Sequence, residues 1–257
     1  MKTMISTVRS AAVGFAAILL IAGAAQSAET LVDEKSFTGT FSANVALTSE
    51  YLFRGISQTD DAPAIQGGFD YEVGLGDSGV AGYVGVWGSN VDFNESGGTD
   101  GATIEVDFYG GIRGEFGKTG IGWDVGGIYY AYPGADSDLN YDFVEVQAAL
   151  SYDFGPAAAT LSVNFSPDNF GGSDDALYTK LAVDVPVGKY LTLSAYAARQ
   201  EIDDNAAFGS PDYWVWNLSA GINVAGFDLS LAYSDTDIPN AGDAAGPTAI
   251  FTVSRSF

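Results

Sequence analysis

Apolar and polar residues alternate with a period of two along most of the chain, and no stretch after residue 27 has the period of an amphipathic helix. In the clearest case, residues 41–53, Phe41, Val45 and Phe53 share an apolar face, while Asn44 and Glu50 take the polar one. Strands covered by apolar material on one side have this pattern. Similar segments lie at residues 65–73, 104–113, 144–153, 160–165, 177–185, 191–197, 214–223, 227–234 and 249–257.

Two further segments, residues 80–89 and 121–132, mix Gly, Val and aromatic residues on both faces, so their sidedness cannot be assigned from the pattern. With them the chain has about twelve strands, and an even number is typical of single-chain bacterial barrels.

The connections between these strands fall into two length classes that alternate without exception. Long connections are predicted at residues 56–63, 90–101, 133–140, 167–175, 201–211 and 236–247. Tight turns are predicted at residues 74–79, 114–119, 155–156, 186–189 and 225–226. A transmembrane barrel has this arrangement, because its short turns and its long loops lie at opposite ends.

A soluble sandwich or lipocalin-like barrel also alternates apolar with polar residues. Whether the barrel is surrounded by lipid or by water must therefore be decided from other features. Charged residues keep almost wholly to the polar face, as expected where a lipid-facing Arg or Lys at the midplane costs about 2–4 kcal/mol. Aromatic residues gather near strand ends, at positions 51 and 53, 129–132 and 213–216, which is typical of an interfacial girdle. The pattern therefore predicts an all-β, transmembrane, antiparallel up-and-down β-barrel.

The first 27 residues have the composition of a secretory signal peptide. Lys2 and Arg9 form a basic start, an apolar stretch of small residues follows, and Ala25, Gln26 and Ser27 provide a small-x-small cleavage site. An inner-membrane anchor is the alternative, but no cytoplasmic domain flanks the segment. We expect residues 28–257 to form a single outer-membrane β-barrel domain.

Composition excludes several functions. The sequence has no Cys and no His, which rules out Ser-His-Asp triads and typical zinc sites. Without the first 27 residues the charge balance is 8 − 33 = −25, and this charge repels nucleic acid. We expect no cofactor and no enzymatic activity.

Residues 48–59 read TSEYLFRGISQT, and PAIQGG at 63–68 and VWGSN at 86–90 follow. With these motifs the chain resembles the TorF-type porins, a family described as conserved hypothetical proteins of Gram-negative bacteria. The resemblance implies an outer-membrane barrel with a pore, and no catalytic residues. The terminal Phe257, preceded by Val253 and Phe251, resembles the signal read by the barrel-assembly machinery, although Arg255 departs from it.

Charged residues on the polar faces are candidates for the lining of a pore, and acids outnumber bases among them. A water-filled lumen of this kind would favour cations. The alternative is a lumen plugged by its own side chains. The candidates are Glu50, Arg54, Asp70, Glu72, Glu105, Asp107, Arg113, Glu145, Lys180 and Asp184.

Arg54 has two interpretations: a constriction charge facing the acidic wall, or a rim salt bridge that fixes strand register. We favour the second, with Glu50 on the same face. Acidic pairs in the long connections, such as Asp60 and Asp61, have no known metal-loop spacing, so solvated surface is their default interpretation.

Together these features predict a passive outer-membrane pore for small polar or cationic solutes, located among outer-membrane lipid and lipopolysaccharide. The alternative is a non-transporting structural or adhesion barrel with acidic surface loops.

Overall fold

The structure, a computed structural model, describes residues 38–93 and 101–257, so the predicted signal peptide lies outside the described residues. Fourteen strands occupy these ranges. They are β1 (Thr40–Thr48), β2 (Leu52–Phe53), β3 (Ile56–Ser57), β4 (Ala64–Gly74), β5 (Ala81–Asn90), β6 (Ile104–Glu115), β7 (Ile121–Ala131), β8 (Phe143–Asp153), β9 (Ala158–Ser166), β10 (Ala176–Val187), β11 (Leu191–Ile202), β12 (Tyr213–Val224), β13 (Phe227–Thr236) and β14 (Thr248–Ser256).

Twelve of these strands close into one antiparallel barrel, in which β1 pairs with both β14 and β4. At the closing seam Val45 lies opposite Arg255, and Leu47 lies opposite Val253. Because closure leaves no free edge, the backbone donors and acceptors of the strands are satisfied within the sheet, as a hydrocarbon environment requires. The predicted fold class and strand number are confirmed, while β2 and β3 form a separate two-stranded sheet.

The outer surface of the barrel is apolar, and its inner surface is polar. In β4, Ile65 and Phe69 are 66% and 68% exposed, whereas Gln66 between them is 9% exposed. The two segments with unassigned sidedness follow the same rule. Val84 and Val125 face outward, while alternate positions in β5 and β7 face the lumen; glycines on both faces had hidden this alternation.

The connections confirm the predicted alternation of long and short. Five short turns join β4–β5, β6–β7, β8–β9, β10–β11 and β12–β13 at one end of the barrel, which we call the tight-turn end. The turn between β12 and β13 has positive φ at both Ala225 (53°) and Gly226 (82°), as a two-residue type I′ turn requires. The opposite end, the long-loop end, carries the other connections, one of which includes residues 94–100 that lie outside the described part.

The first long connection differs from its prediction. The strand expected over residues 41–53 ends at Thr48, and residues 52–57 form the hairpin of β2 and β3. The alternation that continues through Tyr51 and Phe53 therefore belongs to a loop. Both side chains contact an aromatic cluster inside the barrel: Tyr51 packs edge-on against Trp87, and Phe53 against Tyr130.

The prediction of an aromatic girdle is wrong for five of its eight aromatic residues. Tyr129, Trp214 and Trp216 face outward near the long-loop end, as a girdle requires. Their neighbours Tyr130 and Tyr213 are 5% and 1% exposed and face inward. Aromatic residues at consecutive positions in a strand must point to opposite faces, so such clusters cannot all lie in the interface.

Helix is nearly absent from the described ranges. The short α1 (Asn205–Phe208) lies between β11 and β12. Within residues 38–93 and 101–257, no helix is long and apolar enough to cross a membrane.

The sidedness can be tested with two neighbouring arginine substitutions in β13. Leu231 is 60% exposed on the outer surface near the middle of its strand, and Ser230 faces the lumen. We expect Leu231→Arg to reduce the free energy of unfolding of the vesicle-embedded barrel by about 2–4 kcal/mol, and Ser230→Arg to change it much less. Urea titration of vesicle-embedded protein measures both values. Equal losses would show that the assigned faces are wrong.

Candidate functional site

The hairpin of β2 and β3 has a two-residue type I′ turn with Arg54 and Gly55 at its tip. Their φ angles are 52° and 85°, and the left-handed region is costly for a residue with a side chain such as arginine. A Cβ on Gly55 would lie 2.5 Å from Thr236 Cγ2 and 2.8 Å from Val215 Cγ2. The tip of the hairpin is therefore pressed against the inner face of β12 and β13.

The side chain of Arg54 reaches the inner face of β8 and β11, on the far side of the ring from the root of the hairpin. Its Nη2 donates to both carboxylate oxygens of Glu145, each at 2.6 Å, and its Nη1 donates to Gln200 Oε1 at 2.9 Å. The guanidinium carbon also lies 4.3 Å from the ring centroid of Tyr178 and 4.7 Å from that of Phe53. We call Glu145, Gln200 and Tyr178 the guanidinium site.

The carboxylate of Glu145 is held by the barrel wall as well as by Arg54. Tyr130 OH and Asn164 Nδ2 each donate to Glu145 Oε2 at 3.1 Å, and Asn164 Nδ2 also lies 3.2 Å from Gln147 Oε1. The side chains of Arg54 and Glu145 are 8% and 1% exposed. Removing one partner of a buried, hydrogen-bonded ion pair of this kind costs about 3–5 kcal/mol, because the other charge stays buried without compensation.

The hairpin and the wall together fill the long-loop half of the lumen. Glu105, Gln147, Gln200 and Val215, from four different strands, are all at most 1% exposed. Tyr51 OH donates to Glu105 Oε1 at 3.3 Å, and the backbone N–H of Asp92 donates to the carbonyl of Gln58, next to the hairpin. Among the described residues, the polar side chains of that half are therefore buried between the wall and the hairpin.

The tight-turn half of the lumen is more open. Here Arg113 forms an ion pair with Glu72, and Tyr109 OH donates to Asp70 Oδ1 at 2.5 Å. Asp184 is exposed and accepts a hydrogen bond from Ser194. The ion pair of Arg113 with Glu72 is therefore more exposed than the ion pair of Arg54 with Glu145 beneath the hairpin.

Most of the predicted pore-lining residues are on the inner surface of the wall, and their role in a pore stays a prediction. Lys180 lies near mid-barrel, with Nζ 5.7 Å from the ring centroid of Tyr196. Two members are not on the wall: Arg54 is on the hairpin, and Glu50 follows β1. The wall residues are Asp70, Glu72, Glu105, Asp107, Arg113, Glu145, Lys180 and Asp184.

The favoured interpretation of Arg54 as a rim salt bridge that fixes strand register is wrong. Its ionic partner is Glu145, on the opposite side of the lumen, and the strand on which Arg54 was expected ends six residues before it. Arg54 does face an acid of the wall, as the other interpretation expected, and its role in a constriction stays a prediction.

Sequence reasoning missed Tyr130, Tyr178, Gln200 and Asn164, which complete the site around Glu145. Each is polar or aromatic and takes an inward position of its strand. Their distance from Glu145 depends on the stagger between strands, which the alternation pattern does not contain.

Among the described residues, no group of three or more acidic side chains has the geometry to hold a metal ion.

A closed twelve-stranded barrel with an apolar exterior and a charged interior is the architecture of outer-membrane channels. An outer-membrane channel from Pseudomonas putida F1 aligns over 86% of this chain and 96% of its own length, with a TM-score of 0.52 and 13% identity. A KdgM porin, solved in complex with disordered oligogalacturonate, aligns over 84% and 98%, with a TM-score of 0.50 and 7% identity. At these identities the likeness shows the fold.

Residues 33–257 match the family described as "Bacterial protein of unknown function (Gcw_chp)", and the chain belongs to that family. The TorF-type name inferred from residues 48–59 stays a prediction. Among curated proteins nothing matches the sequence.

Glu50 lies beyond the end of β1, between the wall and the hairpin. Burial raises the pKa of its carboxyl group, a hydrogen bond with Ser57 lowers it, and the neighbouring Asp61 raises it, with a net increase. An acid whose pKa is raised by folding destabilises the folded state when it is charged. The contribution of Glu50 to the free energy of unfolding therefore increases as the pH falls through the raised pKa.

We expect Glu50→Gln to raise the Tm at about pH 8, since the amide carries no charge and can donate to Asp61. The difference from wild type should vanish below the ordinary glutamate pKa of 4.5, where Glu50 is protonated in both states. Thermal unfolding in detergent micelles across this range measures it, with the exposed Glu201→Gln as control. A lower Tm for Glu50→Gln at about pH 8 would contradict the assignment.

Proposed function

We propose that this protein is a porin-like channel of the bacterial outer membrane, which passes small polar solutes and prefers cations. In this proposal the tight-turn end faces the periplasm, the long-loop end faces outward, and the hairpin of β2 and β3 is the constriction. The observation that carries the proposal is the way the hairpin is held. Arg54 fixes the tip of the hairpin to the wall by an ion pair and hydrogen bonds. Water or a polar solute can replace these contacts.

The charge of the interior supports the preference for cations. Of the ten predicted lining residues, seven are acids and three are bases, and Asp124 and Asp228 add two inward acids. With Arg54 paired to Glu145 and Arg113 paired to Glu72, acidic side chains still outnumber basic ones on the inner surface. A narrow passage lined by one sign of charge concentrates counter-ions and excludes ions of its own sign.

The outer membrane is the environment that suits the exterior of the barrel. An open aqueous surface would leave a ring of exposed side chains such as Phe69, Leu218 and Leu231 in contact with water. The two structural neighbours described above are an outer-membrane channel and a porin, which supports the same location. In this proposal the partners are outer-membrane lipid, lipopolysaccharide and, during biogenesis, the barrel-assembly machinery. The absence of enzymatic activity stays a prediction.

A second candidate is a closed structural barrel that transports nothing. The observation in its favour is the filled long-loop half of the lumen, where Glu105, Gln147 and Val215 are at most 1% exposed. The two candidates differ in whether the hairpin leaves its position in the membrane.

Single-channel recording across planar bilayers separates them. We expect wild type to show small or infrequent current steps, and a variant with residues 52–57 replaced by a short glycine linker to show larger and more frequent steps. In a KCl gradient the reversal potential should shift toward that of potassium. Lys118→Gln, at an exposed position in a tight turn, serves as the control and should behave as wild type.

The absence of current steps from the shortened variant, when it is shown to be folded and inserted, would overturn the proposal in favour of the structural barrel. A reversal potential that favours chloride would overturn the preference for cations.

A further inference from the structure

We infer that the guanidinium site on the barrel wall is a binding site for the guanidinium or ammonium group of a cationic solute, and that Arg54 is its built-in occupant. Transport of such a solute rests on the proposed function, but the binding site itself does not.

The wall supplies a carboxylate, an amide oxygen and an aromatic face from three separate strands. Glu145 is on β8, Tyr178 on β10 and Gln200 on β11. Arg54 contacts all three, at 2.6 Å, 4.3 Å and 2.9 Å. An acid and an aromatic ring around a planar cation are the groups that recognise guanidinium compounds in proteins generally.

The Glu145 carboxylate has hydrogen bonds from the barrel wall that do not involve Arg54. Tyr130 and Asn164 hold the Glu145 carboxylate from the wall, and Asn164 is itself in contact with Gln147. None of these residues belongs to the hairpin. When the hairpin leaves, a fixed carboxylate in a narrow, poorly hydrated part of the lumen is left without its counter-charge, and a cation from solution restores it.

The geometry also ranks the ligands. Nη2 of Arg54 donates to both oxygens of Glu145 while Nη1 donates to Gln200, so two nitrogens of one planar group are used. An alkylguanidinium reproduces both contacts, and an alkylammonium keeps the charge but offers a single nitrogen. A neutral alkylurea has the shape without the charge. We expect binding in that order.

The hairpin can lose the arginine side chain and keep its turn. Arg54 has a φ of 52°, which glycine adopts without strain, and Gly-Gly is a favoured pair for a type I′ turn. Arg54→Gly therefore empties the site and leaves the backbone conformation of the tip allowed.

The experiment is a titration of purified, detergent-folded Arg54→Gly with methylguanidinium chloride at millimolar concentrations, followed by Tm. We expect a saturable rise of a few degrees, a smaller rise with methylammonium, and none with methylurea. Wild type, whose site is occupied, should show no saturable rise. Arg113→Ala, which empties a more exposed ion pair, controls for general effects of cations.

The double variant Arg54→Gly with Glu145→Gln should lose the response, because the amide cannot compensate the charge. Equal shifts with methylguanidinium and methylurea, or a response that survives Glu145→Gln, would overturn the inference. If Arg54→Gly does not fold alone, its refolding yield replaces the Tm, and equal yields with the two compounds overturn the inference as well.

A second measurement separates this inference from the proposed function. In planar bilayers, methylguanidinium should reduce the current through Arg54→Gly more strongly than it does when Glu145→Gln is also present. A Tm response without any current supports the site and defeats the channel. Current through Arg54→Gly without a Tm response or block supports the channel and defeats the site.

Discussion

The buried ion pair between Arg54 and Glu145 determines how the interior of this barrel is organised. A carboxylate with 1% exposure needs a counter-charge, and the wall around it provides only neutral donors. The counter-charge comes from the first long connection, which must cross the lumen to deliver it. The same hairpin packs Gly55 against Thr236 and Val215 and covers the buried residues of the long-loop half.

The two halves of the lumen therefore have different physical characters. In the long-loop half, polar side chains such as Glu105, Gln147 and Gln200 are fully buried between the wall and the hairpin. In the tight-turn half, charged residues such as Asp184 are in contact with water, and the ion pair of Arg113 with Glu72 is partly exposed. In the proposed channel, closure and ion preference would depend on the same contact, since Arg54 both occupies the long-loop half and neutralises Glu145.

Much of the fold could be predicted because the membrane imposes simple rules on sequence. Alternation, connection lengths and the confinement of charge to one face predicted twelve strands and their order. These rules gave no answer or a wrong one in two places. Glycines on both faces hid the sidedness of β5 and β7, and the alternation of Tyr51 and Phe53 extended the first strand into a loop that happens to share the period. The site was predicted in part. Alternation along β8 showed that Glu145 faces inward, but it did not show which inward residues of the neighbouring strands lie next to it.

The central claim is that the hairpin occupies the long-loop half of the lumen, and a single cysteine tests it directly, since the chain has none of its own. Val215 is 0% exposed beneath the tip of the hairpin, whereas Ser230 lies in the open half. With a charged thiol reagent, Val215→Cys should stay unlabelled in the folded barrel while Ser230→Cys reacts. Shortening the hairpin should make position 215 reactive. Labelling of Val215→Cys as fast as of Ser230→Cys, with the hairpin intact, would contradict the account.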